Sequence, residues 1–518
     1  MDSLPPEYLD SKTPADVVVT DRLRPPVADP TLGEPLGPRS ADVPEVPEDA
    51  AHRLVTIGDS LTHGMSSAAV FRTDLSWPVL AAACLGTDRP VVPTYGGPVD
   101  GLPLNLERVL SLLAEKFGSS VNPVEVLRLP VAFHEIADDN EDYWERGPGS
   151  APPRTDLRYE NLGIYGWDVR DALSYTAGRA AAKAGQSPHD DFLGATPEHD
   201  NDIAADSVLA PFGLAATQLT AADWHGRNGG IDTLVVMLGA NNALRTVVDK
   251  RVCWTGPGYD DLDRKDGYNV WRPRHFAAEY TQLVQALQPI AAARVVLATV
   301  PHVTIAPIAK GVNPMAPGQK WRPGSRYFPY YTDPWIGESD FRPTKHRNLT
   351  HQQARAIDSA IDQYNDVIIQ AVGEARRGGR DWLLLDLCAV LDGLAFRRFI
   401  SDDAAAEEHD QWRPVPLPAP IADLDTRFFL SDATGRLQGG LFGLDGVHPT
   451  TSGYGIIAQA VVDVLAADGV RTTPLDFAAL RQQDTLNTSP PPLMSRVFTL
   501  LTPFLTRFLT RRPPPDCP

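Results

Sequence analysis

Apolar residues follow two repeating patterns along this chain. Consecutive apolar runs occupy 53–58, 160–164, 232–238, 294–300 and 382–387. Their aliphatic and β-branched content predicts short strands buried on both faces. Between the runs lie stripes with helical spacing. One is Leu106, Val109, Leu110, Leu113 and Phe117, and a second is Phe276, Tyr280, Leu283, Val284 and Leu287. A third, longer stripe is Ala354, Ile357, Ile361, Tyr364, Ile368 and Val372, and a fourth is Ile456, Ile457, Ala460, Val461, Val464 and Leu465. Each predicts a helix with one face turned to a core. Thr350 and Gln353 are spaced for a capping box before the third, and Gly469 stops the fourth. Strand alternating with helix predicts an α/β fold, with a parallel sheet covered by helices on both faces.

Long connections interrupt this pattern at 61–160, 185–230, 243–274 and 310–349. The last carries Trp321, Tyr327, Phe328, Tyr330, Tyr331 and Trp335 among Pro, Lys and Arg. It reads as a lid or acyl-binding wall, or as a surface loop pinned by its own aromatics. Residues 1–50 lack periodicity and are rich in Pro and acidic residues, which predicts an arm that is disordered or wraps the surface. Near the C-terminus, Val497, Leu501, Phe504, Leu505 and Phe508 share one helical face, flanked by Arg496, Arg507, Arg511 and Arg512. Such a basic amphipathic segment over 494–512 suits peripheral contact with a membrane surface, and docking on the main domain suits it equally. Pro503 within it would kink a helix or cost about 3 kcal/mol. The chain thus divides into an arm (1–50), a main domain (51–470) and an extension (471–518).

Composition narrows the function classes. A formal charge of −19 over 518 residues argues against binding nucleic acid, which needs a basic surface, and reads most simply as solubility. The four cysteines, Cys84, Cys253, Cys388 and Cys517, make no CxxC pair. They predict neither a zinc site nor a disulfide framework. The first 50 residues show no signal-peptide pattern, and no apolar window is long enough to span a bilayer, so the cytoplasm is the default expectation. Two glycosylation-like triplets, Asn348-Leu349-Thr350 and Asn487-Thr488-Ser489, read as chance matches on that expectation.

Four segments carry the chemistry. Leu54–Ile57, closed by Gly58, delivers Asp59 and Ser60 to the carboxyl edge of the sheet, where open α/β folds place their ligands. Gly-Asp-Ser alone is ordinary turn chemistry. Further on come Asn161-Leu162-Gly163-Ile164-Tyr165-Gly166, then Leu238-Gly239-Ala240-Asn241-Asn242 at a strand end, and finally Asp445-Gly446-Val447-His448-Pro449. Together they supply a serine, a glycine backbone, a side-chain amide, and a carboxylate three residues before a histidine.

The stretches GDSLTHG, NLGIYG, LGANNAL and DGVHPTTSGY, in that order, resemble the SGNH hydrolases, also called GDSL esterases and lipases. The resemblance spans roughly residues 52–467. It implies a flavodoxin-like three-layer α/β/α sandwich with a central parallel sheet, here with long inserted loops. It implies a serine ester hydrolase working through an acyl-enzyme. Ser60 would be the nucleophile, His448 its base, and Asp445 the carboxylate that orients His448. The oxyanion hole would be the backbone N–H of Ser60, the backbone N–H of Gly166, and the amide of Asn241. Gly163 competes with Gly166, and alignment on Asn161 favours Gly166. No metal or organic cofactor is implied. The substrate class is an ester small molecule or a lipid, with the oligomeric state left open. Two departures stand out: Asn242 occupies a position that is usually Asp, and the first two blocks lie unusually far apart. The same residues would serve an acyltransferase. A non-catalytic binding protein on this fold is a further alternative, against which the intact Ser60, Asp445 and His448 argue.

Overall fold

The computed structural model describes residues 4, 8–20, 24–87, 90–119, 128–150, 156–186, 196–314, 327–395, 415–494 and 517. Four of the predicted apolar runs become one parallel sheet: β1 (His52–Gly58), β2 (Ile231–Met237), β3 (Ala292–Ala298) and β4 (Trp382–Leu385), in that spatial order. Alternate side chains enter two different cores. Val55, Ile57, Val236, Leu297 and Leu384 face one core, and Leu54, Val235, Met237, Val296 and Leu385 face the other. Burial on both faces is why these runs show no apolar–polar alternation.

Helices cover both faces. Eight of them matter below: α1 (Ser60–His63), α2 (Trp77–Cys84), α3 (Leu106–Phe117), α4 (Gln218–Arg227), α5 (Pro273–Leu287), α6 (His351–Arg377), α7 (Leu387–Leu394) and α8 (Thr451–Ala467). Phe276 and Leu283 of α5 and Ile357 and Tyr364 of α6 fill the first core. Trp77 of α2 and Tyr454, Ile457 and Val461 of α8 fill the second. The result is a mixed α/β architecture with a central four-stranded parallel sheet flanked by helices.

The predicted strand at 160–164 is reduced to an extended segment with a single bridge, Thr56 to Asn161. It still lies parallel to the outer edge of β1. The Thr56 N–H donates to Glu160 O, the Leu162 N–H to Thr56 O, and the Ile164 N–H to Gly58 O, at 2.9–3.1 Å. The segment then turns away at Gly166, whose φ of 78° lies in the left-handed region.

The described part of the N-terminal arm wraps the domain. Thr20 N–H donates to Ser359 Oγ at 3.0 Å, Arg24 pairs with Asp386 at 2.7 Å, and Gly37 N–H donates to Arg376 O at 2.9 Å. Pro30 O accepts the Leu384 N–H at 2.8 Å, which covers part of the edge that β4 would otherwise expose.

Several expectations need correction. Besides the predicted α3, the connection at 61–160 contains α2 and a further helix, Leu129–Glu145, and the one at 185–230 contains Asp200–Leu209 and α4. The 310–349 region builds a small antiparallel sheet from Lys310–Val312, Tyr330–Thr332 and Leu349–Thr350. Its Tyr327 and Tyr331 are buried in the first core, as the reading of a segment pinned by its own aromatics expects. Trp321 lies outside the described residues, as does 495–512 of the amphipathic segment. One disulfide joins Cys253 to Cys517, where the sequence predicted no framework. Cys84 and Cys388 are buried thiols. Among the described residues no helix is long and apolar enough to cross a membrane.

The predicted capping box forms. Thr350 Oγ1 accepts the Gln353 N–H at 3.3 Å, and Gln353 Oε1 accepts the Thr350 N–H at 3.0 Å. Thr350→Ala removes this closure from the 27-residue helix α6. It should cost about 1 kcal/mol, read as a lower urea midpoint with an unchanged m-value. An unshifted midpoint would show that tertiary packing alone sets the start of α6.

Candidate active site

The site is assembled where β1 ends. Gly58 has no room for a Cβ, which would meet Thr62 Oγ1 at 2.0 Å and Met237 O at 2.8 Å. Asp59 caps α1, accepting the Leu61 N–H at 3.0 Å. Ser60 opens α1 at the carboxyl edge of the sheet, 5% exposed. Its Oγ lies 2.8 Å from His448 Nε2, although 388 residues separate the two.

His448 sits between two oxygens. Its Nδ1 lies 2.8 Å from Asp445 Oδ2. An ionised carboxylate can only accept, so Nδ1 carries the proton and Nε2 presents its lone pair to the Ser60 hydroxyl. Asp445 is held by three backbone donors as well. Oδ1 accepts the N–H of Val447 at 2.8 Å and of His448 at 2.9 Å, and Oδ2 accepts the Ala68 N–H at 2.7 Å. Burial opposes ionisation of Asp445, yet His448 and these donors keep its carboxyl below the usual range.

Ala68 is a member of the site that residue type does not announce. Ser67 and Ala68 both adopt positive φ, 47° and 68°, which non-glycine residues rarely do. The conformation turns the Ala68 N–H onto Asp445. Ser67 anchors the turn from both sides, donating its hydroxyl to Glu107 at 2.8 Å and accepting the Leu444 N–H at 3.1 Å. Strain of this kind persists only where the surroundings enforce it.

The other two blocks meet beside Ser60. Asn161 ties the second block to α1, donating to Thr62 O at 2.7 Å and accepting the Gly163 N–H at 2.9 Å. A Cβ at Gly163 would meet His63 N at 2.4 Å, so Gly163 is a packing contact. Gly166 is exposed, and its N–H has no hydrogen-bond acceptor among the described residues. That separates the two glycines and leaves Gly166 as the available donor. Asn241 sits in the short helix Ala240–Asn242 after β2 and donates to Trp167 O at 2.8 Å, which holds it next to Gly166. Asn242 faces inward, where its Oδ1 accepts the Val169 N–H at 3.4 Å.

Buried polar groups brace this loop. Asp168 caps the helix Val169–Ser174, and Lys265 pairs with Asp168 at 2.9 Å and Asp171 at 2.8 Å. Gln218, at the start of α4, donates to both Gly58 O at 2.7 Å and Leu162 O at 2.6 Å. It thereby staples β1 to the second block. Neither residue stood out in the sequence, because each lies far from the motif it supports.

One cluster has metal-ligand chemistry. Among the described residues, His302, Cys388 and Asp392 place a nitrogen, a sulfur and an oxygen within 4.8 Å of one another. However, His302 Nδ1 lies 2.7 Å from Asp392 and its Nε2 lies 3.2 Å from Asp362. Burial disfavours the imidazolium, but these carboxylates raise its pKa well above the ordinary value. Both ring nitrogens thus face carboxylates, and the arrangement is that of a buried histidine held between acids.

No family model, curated protein or solved structure matches this chain. The reading of the site therefore rests on its geometry.

Asp59 supplies a test of that geometry. Burial pushes its carboxyl up to about 6 from an ordinary 3.8, against the pull of the Leu61 N–H and His448. The folded chain thus binds a proton that the unfolded chain has released. The stability this provides is full below the unfolded value and declines as pH rises through about 6. Asp59→Asn keeps an acceptor for the cap and removes the charge. The variant should gain stability relative to the native chain on going from pH 4 to pH 8, measured by urea unfolding at both. Equal differences at the two pH values would contradict the assignment.

Proposed function

We propose that this chain is a serine ester hydrolase of the SGNH type, acting on carboxylic esters through an acyl-enzyme. The observation that carries the reading is the unbroken hydrogen-bond chain from Ser60 Oγ through His448 to Asp445. A serine hydroxyl is too weak an acid to attack an ester unaided at neutral pH. His448 Nε2 takes its proton as the Oγ–carbon bond forms, and Asp445 stabilises the resulting imidazolium. The tetrahedral oxyanion is met by the N–H groups of Ser60 and Gly166 and by the amide of Asn241. As it collapses, the alcohol leaves with the proton from His448. Water, deprotonated by the same ring, then releases the acid and restores Ser60.

The sheet order supports the finer fold assignment. With the segment 160–164 counted as the second strand, the order across the sheet becomes 2-1-3-4-5, the flavodoxin-like arrangement, whose ligands lie at the strands' carboxyl ends. Ser60 and Asn241 both occupy that edge.

Ser60→Ala should abolish hydrolysis of p-nitrophenyl acetate and labelling by a fluorophosphonate. Asn241→Ala should lower kcat/KM by about 10²–10³ while labelling, though slower, still reaches Ser60. Undiminished turnover by Ser60→Ala would refute the proposal.

A further inference from the structure

An apolar pocket borders Ser60 and His448. Its walls come from separate parts of the chain: Leu244 after Asn241, Val303 and Ile305 after β3, Leu391 and Leu394 on α7, and Ile457 on α8. Among the described residues, four of the side chains that border it are polar: Ser60, His448, His302 and Thr426. Two of these are engaged within the protein. Both nitrogens of His302 face carboxylates, Asp392 and Asp362, and the Thr426 hydroxyl donates to Leu394 O at 3.0 Å. Among the described residues, the polar side chains left to engage an occupant are therefore those of Ser60 and His448.

The pocket also touches Ala240 and Leu244, on either side of Asn241. With Asn241 as an oxyanion donor, as proposed above, a group held there lies next to the reacting carbonyl. Resting on the hydrolase reading above, we infer that this pocket receives the acyl chain of the ester, and that the chain is a plain hydrocarbon without polar substituents. A hydroxyl along such a chain would lose its water without gaining a partner. An acetylated sugar would leave the pocket empty.

The test is a series of p-nitrophenyl esters from acetyl to decanoyl, compared with acetate esters of alcohols of the same lengths. With the leaving group constant, kcat/KM should rise about fourfold per methylene, from about 0.8 kcal/mol for each CH₂ removed from water, until the pocket is filled. A mid-chain hydroxyl should lower the rate about tenfold or more. Leu391→Trp should move the optimum to shorter acyl groups, and Leu391→Ala should weaken the preference for the longer ones. An unmoved profile in both variants argues against the assignment. So does a profile that falls from acetyl onwards, or a rise confined to the alcohol series, in a protein whose Ser60 reacts with a fluorophosphonate. In those cases the hydrolase reading stands and the acyl pocket is wrong. Absence of both labelling and turnover removes the hydrolase reading itself.

Discussion

The buried carboxylate of Asp445 is the fixed point of this structure. At 2% exposure it stays charged only because four donors converge on it: the N–H groups of Ala68, Val447 and His448, and the ring of His448. Three of these are backbone groups, so the constraint falls on how two loops run. One must turn through Ser67 and Ala68 at positive φ. The other must fold back over 443–448, closed by the Gly443 N–H to His448 O at 2.8 Å, before α8 begins. With those paths set, His448 has one tautomer and one orientation, and Ser60 lies within its reach.

The sheet converts this local constraint into a site. β1 and β2 end side by side, so Ser60 and Asn241 are neighbours at one edge although some 180 residues separate them. Gln218 and Asn161 hold the second block against β1, and Lys265 with its two carboxylates sets the turn that follows. These are buried charges and amides, costly to leave unpaired. The hydrogen bonds and ion pairs they make tie the side of the site that carries Gly166 and Asn241 to the sheet.

Much of this was legible in the sequence. The strands and the helices with long apolar stripes were readable because burial on one or two faces leaves a periodic mark. The motif blocks were readable because each ends a strand or opens a helix with an unusual residue. Ala68 was not, because every residue has an N–H and only the fold decides which is aimed. The helix Asp200–Leu209 was hidden because its buried Asp200 and Asp202 mimic a polar loop. The surface that the aromatics of 310–349 cover was left open for a related reason. An aromatic side chain signals that it will be buried, but not against which surface. The apolar pocket was invisible for the same cause, since Leu244, Val303, Leu391 and Ile457 come from four distant segments.

In the proposed chemistry the Ser60–His448–Asp445 chain makes Ser60 a nucleophile. The most direct measurement is intact-mass spectrometry of protein quenched in acid during turnover of a p-nitrophenyl ester, followed by peptide mapping. A nucleophilic Ser60 should give a mass increase equal to the acyl group, located on the peptide that contains Ser60 and absent from His448→Ala. Turnover with no acylated protein, or with the acyl group on another residue, would contradict it.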